Sequence, residues 1–176
     1  MLLRSRFLET LNISYCGKIV GSLDALSSCR SLASVNMKGC EGISGTLDFA
    51  NDCPLIEELV IMGTGTTGTL DALSECKRLA IIDVGFTEIT GSLDPLTACK
   101  SLRSLNIEGC GRISGSLETL ARGVEKLTYL NIYNCLGLSG PVYHLNNCKN
   151  LKVLVGLRCP KSKENDDLES YLSSSI

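Results

Sequence analysis

Two independent ladders of residues run through this chain in step, and they constrain the fold more than any other feature. The first is Gly-Ser-Leu or a near variant, with its glycine at Gly21, Gly45, Gly68, Gly91, Gly115 and Gly140. The second is one aliphatic residue per period: Leu11, Val35, Leu59, Ile82, Leu105, Leu130 and Leu154. Both advance by 23 to 25 residues. A fixed period of this length marks a solenoid, in which each repeat buries its apolar face only against its neighbours. About seven coils are expected, spanning residues 8–159 of one domain that covers 1–176.

Within a repeat the apolar positions alternate. In the copy Ser101–Leu117, Leu105 and Ile107 flank Asn106. Alternation with period two is the mark of a half-buried strand. Seven such strands predict a parallel sheet with one strand per coil. The inward residue two places after the anchor is Ile, Met or Val, except in the last coil, where Gly156 stands.

The pattern resembles the leucine-rich repeat family over almost the whole chain. The segment Cys99–Cys110 is similar to its cysteine-containing subclass. The string Ile113-Ser114-Gly115-Ser116-Leu117 looks like its plant-type subclass. The resemblance implies an α/β solenoid with its parallel sheet on the concave face. Short extra strands, turns or 3-10 helices would line the other side. It further implies a module that binds a protein through the concave sheet.

The 10 cysteines sit on ladders of their own. Cys16, Cys40, Cys110, Cys135 and Cys159 follow the strand anchor by five residues, and Thr64 and Thr87 take that slot in the third and fourth coils. Cys29, Cys53, Cys76, Cys99 and Cys148 precede each repeat's first apolar anchor by three, with Val124 substituting once. Neither a disulfide nor a metal site tolerates Thr or Val in place of Cys, and zinc spacing is absent. These thiols are read as small buried packing groups with a weak S–H donor, a role that Thr can share. Ten unpaired thiols fit a reducing compartment, so an intracellular, cytoplasmic location is expected.

Repeat lengths vary in an ordered way. The two Thr coils are the two 23-residue steps, because Thr reaches the next glycine in four residues where Cys takes five. The 25-residue step comes from one extra residue between Gly115 and Val124, on the side where insertions are absorbed more readily. An acidic residue after each Gly-Ser-Leu (Asp24, Asp48, Asp71, Asp94, Glu118) is expected to cap the turn that follows it.

Catalytic and cofactor chemistry find little footing. There is 1 His, His144, expected on the solvated surface, and no nucleophile–base–orienter set. Gly63-Thr64-Gly65-Thr66-Thr67-Gly68 fits a dinucleotide fingerprint but lacks its strand–helix context. The Asn12-Ile13-Ser14 sequon lies on a strand. No cofactor or metal is expected. A net charge of -2 excludes the basic footprint of a nucleic-acid binder. No apolar run reaches the roughly 18 residues of a membrane span.

The outward positions of the strands are therefore the candidate binding surface. Val60, Met62 and Ile81, with Asp83 on the fourth strand and Phe86 at the rim, form one patch. Tyr129, Asn131 and Tyr133, joined by Val153, Val155 and Leu157, form a second. Phe86→Ala or Met62→Ala is expected to weaken partner binding while leaving the fold intact. The N-terminal edge looks uncapped, so further repeats or a partner are expected to cover it, and the chain reads as part of a longer protein. After Cys159, the tail 160–176 is expected to close the last coil, with Leu168, Tyr171 and Leu172 on one helical stripe. The reading that follows is a non-enzymatic, intracellular protein-binding scaffold. A structural segment of a larger assembly, a plant-type extracellular receptor domain and the substrate-recognition part of a ubiquitin ligase are the alternatives.

Overall fold

The computed structural model describes residues 5–156. Leu157, Cys159 and the expected closing helix at 160–176 lie outside the described residues. The strand anchors build a continuous seven-stranded parallel sheet in chain order: Thr10–Asn12, Ser34–Asn36, Glu58–Val60, Ile81–Asp83, Ser104–Asn106, Tyr129–Asn131 and Val153–Val155. The register pairs like with like, so Leu11, Val35, Leu59, Ile82, Leu105, Leu130 and Leu154 form one file. Five of these seven are fully buried, and the two end residues, Leu11 and Leu154, are half-buried, each with one neighbouring strand among the described residues.

After each of the first six strands the chain turns through the Cys/Thr slot and forms a second strand of two to four residues at the Gly-Ser-Leu ladder. These strands make two separate parallel sheets of three. One holds Gly21–Ser22, Ile43–Thr46 and Gly65–Thr67; the other holds Gly91–Ser92, Ile113–Ser116 and Gly137–Ser139. Between them the third and fourth coils are joined by the bridge Thr69↔Thr90 and by backbone bonds from Glu88 N to Thr66 O at 3.0 Å and from Thr90 N to Gly68 O at 2.9 Å. The interruption falls where the two shortened Thr turns meet. The ladder glycine has a left-handed φ at Gly45, Gly68, Gly91, Gly115 and Gly140. At Gly45 the backbone also passes so close to Leu23 that a Cβ would come 2.9 Å from its nitrogen, so this slot takes glycine.

The return segment is a 3-10 helix in five coils: Leu23–Ser28, Leu47–Asp52, Leu70–Leu73, Asp94–Ala98 and Val142–Asn147. In the long repeat, the one extra residue lets the chain close a true α-helix, Leu117–Gly123. A 3-10 turn needs three residues and an α turn 3.6, so one residue decides between them. The expected capping role of the acidic residues is corrected here. The serine before them does that work: Ser22, Ser92 and Ser116 hydroxyls accept from the N–H groups of Asp24, Asp94 and Glu118, each at 3.1 Å. Asp24 instead reaches the next coil, where its Oδ1 accepts from Thr46 N at 3.0 Å. That bond and the Ser22 hydroxyl hold its carboxyl below the usual range.

No disulfide joins the nine described cysteines, and eight of them are buried. In one ladder, Cys53, Cys76 and Cys99 each donate Sγ to carbonyls of the preceding coil, for example Cys53 to Cys29 O at 3.4 Å and Cys76 to Ala50 O at 3.5 Å. In the other, Cys40 donates to Ile13 O at 2.9 Å and Cys135 to Ile107 O at 3.0 Å. Thr64 and Thr87 donate from the equivalent slot to the carbonyls of their own coil, Ile61 O at 2.7 Å and Val84 O at 2.6 Å. Interchange of thiol and hydroxyl thus holds, with a change of target. The exception is Cys16, exposed on the first coil because no coil precedes it among the described residues.

Candidate functional site: the concave sheet

Outward residues of the strands line up in three files across the concave face. The middle file is Asn12, Asn36, Val60, Asp83, Asn106, Asn131 and Val155. Its polar members share one job. Asn12, Asn36, Asp83, Asn106 and Asn131 each accept, through Oδ1, the N–H of the residue two places on, at 3.0 to 3.3 Å. They hold the chain as it leaves the strand. Asn106 also donates Nδ2 to Asp83 Oδ1 at 2.8 Å, and Asn131 donates Nδ2 to Glu108 Oε2 at 3.0 Å.

This corrects part of the expected surface. Val60 is only 8% exposed and Asn131 only 5%. Asn131 is tied down by its two bonds. Val60 stands between Asn36 and Asp83 in the register, and Lys38 crosses that strand to bring Nζ to 3.9 Å from Asp83 Oδ2. Asp83 is itself half-buried, and burial raises its carboxyl against the opposing pull of Gly85 N–H, Lys38 and Asn106.

The remaining candidates stand clear. Ile81 is 39% exposed, Phe86 53% and Tyr133 42%, while Met62 and Tyr129 are half-buried. Coils four to six therefore have a low polar floor of Asp83, Asn106 and Asn131. Ile81 and Tyr129 rise on one side of it, and Phe86, Glu108 and Tyr133 on the other. Val153 and Val155 continue the apolar surface on the seventh strand.

Phe86 has a backbone peculiarity. It occupies a left-handed slot at φ 54°, which Gly39, Gly63 and Gly109 fill in other coils and Tyr15 and Asn134 in two more. Its ring lies over the glycine of the next coil, where a Cβ on Gly109 would come 2.8 Å from Phe86 Cδ1. Tyr15 covers Gly39 in the same way. A bulky residue with positive φ is an outlier, and nothing but its own coil pattern foretold it.

Elsewhere, His144 departs from the solvated position expected of it. It is half-buried, its ring centroid is 4.6 Å from that of Tyr143, and Nε2 lies 3.8 Å from Glu118 Oε2. Gly63–Gly68 carries no phosphate cradle: Gly65–Thr67 is a strand, and the Thr64 and Thr66 hydroxyls bond each other at 2.7 Å. Among the described residues there is no metal-ligating cluster and no helix long and apolar enough to cross a membrane. At the first coil, Phe7, Tyr15 and Val20 are exposed and the strand Thr10–Asn12 is a sheet edge.

These features define a leucine-rich-repeat solenoid, and solved structures share it. The ectodomain of the Arabidopsis receptor kinase HAESA, in complex with an extended IDA peptide hormone, superposes with a TM-score of 0.69 at 18% identity, over 86% of this chain and 26% of that one. PEPR1, in its structure with AtPEP1, gives 0.69 at 20% identity, over 88% and 22%. Internalin C2 of Listeria monocytogenes gives 0.62 at 17%, over 77% and 56%. The chain thus spans between 22% and 56% of these proteins' lengths. No protein-family model and no curated protein matches the sequence.

Proposed function

We propose that this chain is a non-enzymatic protein-binding module whose contact surface is the concave sheet at coils three to six. The observation that carries this reading is the exposure of Ile81 and Phe86, 39% and 53%, on either side of Asp83 in a face whose other outward positions are mostly polar. Exposed apolar and aromatic groups ringed by polar ones mark interaction surfaces. Met62 and the Tyr129/Tyr133 pair extend the surface to either side. Structures of like fold that hold peptide hormones support the reading by analogy of architecture. The cysteine ladders favour an intracellular setting, where thiols stay reduced.

Capture from native cell lysate tests the reading, comparing the intact protein with an Ile81→Ala/Phe86→Gly variant of equal circular dichroism. A protein bound by the first and lost by the second supports it. Identical capture by both moves the binding surface elsewhere.

A further inference from the structure

We infer that the concave face binds a cationic side chain, that of an arginine in an extended segment of a partner protein, at Glu108. This rests on the protein-binding reading above and narrows it to one chemistry.

The argument begins with where Glu108 points. Its Oε2 accepts from Asn131 Nδ2, one coil further on, at 3.0 Å. That bond draws the carboxylate onto the sixth strand. There, Tyr129 lies two residues before Asn131 and Tyr133 two residues after it, all on the outward face. A carboxylate held at Asn131 thus stands on a strand that carries a tyrosine two residues to either side, one half-buried and one 42% exposed. Carboxylate and aromatic faces together favour a flat cation that can pair with the one and stack on the others.

The charge pattern supports the same occupant. The carboxylate of the floor, Asp83, already faces Lys38 at 3.9 Å. Among the described residues no cation pairs with Glu108. Its carboxylate is half-buried, and Asp83 adds negative potential from the preceding coil. Ile81 and Phe86 flank the approach, so an apolar residue next to the arginine would have a surface to cover. Alternate side chains of an extended peptide would thus meet unlike subsites, which fixes register as well as affinity.

Selection of random 9-residue peptides on the intact protein, followed by fluorescence polarisation of a selected peptide, tests this. Enriched peptides should carry arginine. Glu108→Gln should weaken them by about tenfold or more, since a hydrogen bond to a charged group is lost. Glutamine keeps an oxygen for Asn131, so the fold is preserved. Citrulline in place of the peptide arginine should cost a similar factor. Peptides that lose affinity with Phe86→Gly but carry no basic residue, or ignore Glu108→Gln, would overturn the cation site and leave the concave reading standing. Peptides indifferent to both variants would overturn both, and failure to select any peptide would overturn the inference. Arginine-peptide binding that emerges only after deletion of 160–176 would assign the site to the chain's own Lys161 or Lys163 and overturn it likewise.

Discussion

Cys110 donates its thiol to the carbonyl of Val84, one coil earlier, across 3.1 Å. The same oxygen accepts the hydroxyl of Thr87 at 2.6 Å, so two rungs of one ladder meet on a single acceptor. The coils are pinned together here by side chains that a composition table would count as a hydrophobe and a polar residue. Cys110→Ala should destabilise the protein by about 1–2 kcal/mol, from one lost bond and the lost sulfur contacts. Cys110→Thr should cost less, since the hydroxyl can turn to the carbonyl of Ile107 as Thr87 does to Val84. Urea denaturation of both variants would decide.

The buried thiols make stability depend on alkaline pH. Burial pushes Cys53 and Cys99 up to about 11 and Cys76 to about 12, from 9.0. The folded state therefore keeps protons that the unfolded chain has released above pH 9.0. Stability is fully present below that pH and falls as pH climbs towards 11–12. Melting temperature should drop steadily from pH 9 to 11, and less steeply in Cys76→Val. At pH 8, in a Cys159→Ser background, iodoacetamide should label Cys16 and spare the buried eight.

Phe86 should respond differently to glycine and to alanine. Both remove the ring. Alanine keeps a side chain at φ 54°, whereas glycine holds that conformation without strain. Phe86→Gly should be more stable than Phe86→Ala by about 1 kcal/mol. The expectation that Phe86→Ala isolates binding from folding is thus better met by Phe86→Gly, and thermal melts of the pair would show it.

Asp83 stands in a slot that is Asn in coils one, two, five and six. Burial raises its carboxyl, so the fold favours the neutral form. Its contribution is intact below the unfolded value of 3.8 and is lost as pH rises through the raised one. Asp83→Asn keeps the oxygen for Gly85 and Asn106 and removes that loss. Lys38 gives up one long, partly exposed ion pair, which counts for little. The variant should melt higher than the parent at pH 7 and level with it near pH 3.

Much of this was legible in the residues. The anchor ladder located all seven strands, because burying one apolar residue per coil at constant spacing leaves little choice of register. The extra residue between Gly115 and Val124 was placed on the correct side, though its effect, an α-helix in place of a 3-10 turn, depends on hydrogen-bond closure that spacing does not reveal. What stayed hidden were contacts between coils. Lys38 reaching past Val60 to Asp83 joins residues 45 apart in sequence, and no local pattern announces it. Whether Ser22 or Asp24 caps the first 3-10 helix is likewise a matter of rotamers, since both residue types suit the task. Glu108 carries no local mark of its own, because its partner, Asn131, lies on the next coil.

The seam in the second row of strands has a mechanical consequence. The sheet of seven runs unbroken, while on the adjacent side the regular pairing lapses to the bridge Thr69↔Thr90 between the third and fourth coils. The coils are still laced there: Glu88 and Thr90 donate their N–H groups to the carbonyls of Thr66 and Gly68, and Leu70 donates to Thr90. A body stitched along both edges resists opening at any one coil, as a spiral binding does, so the seam changes the stitch without cutting the thread.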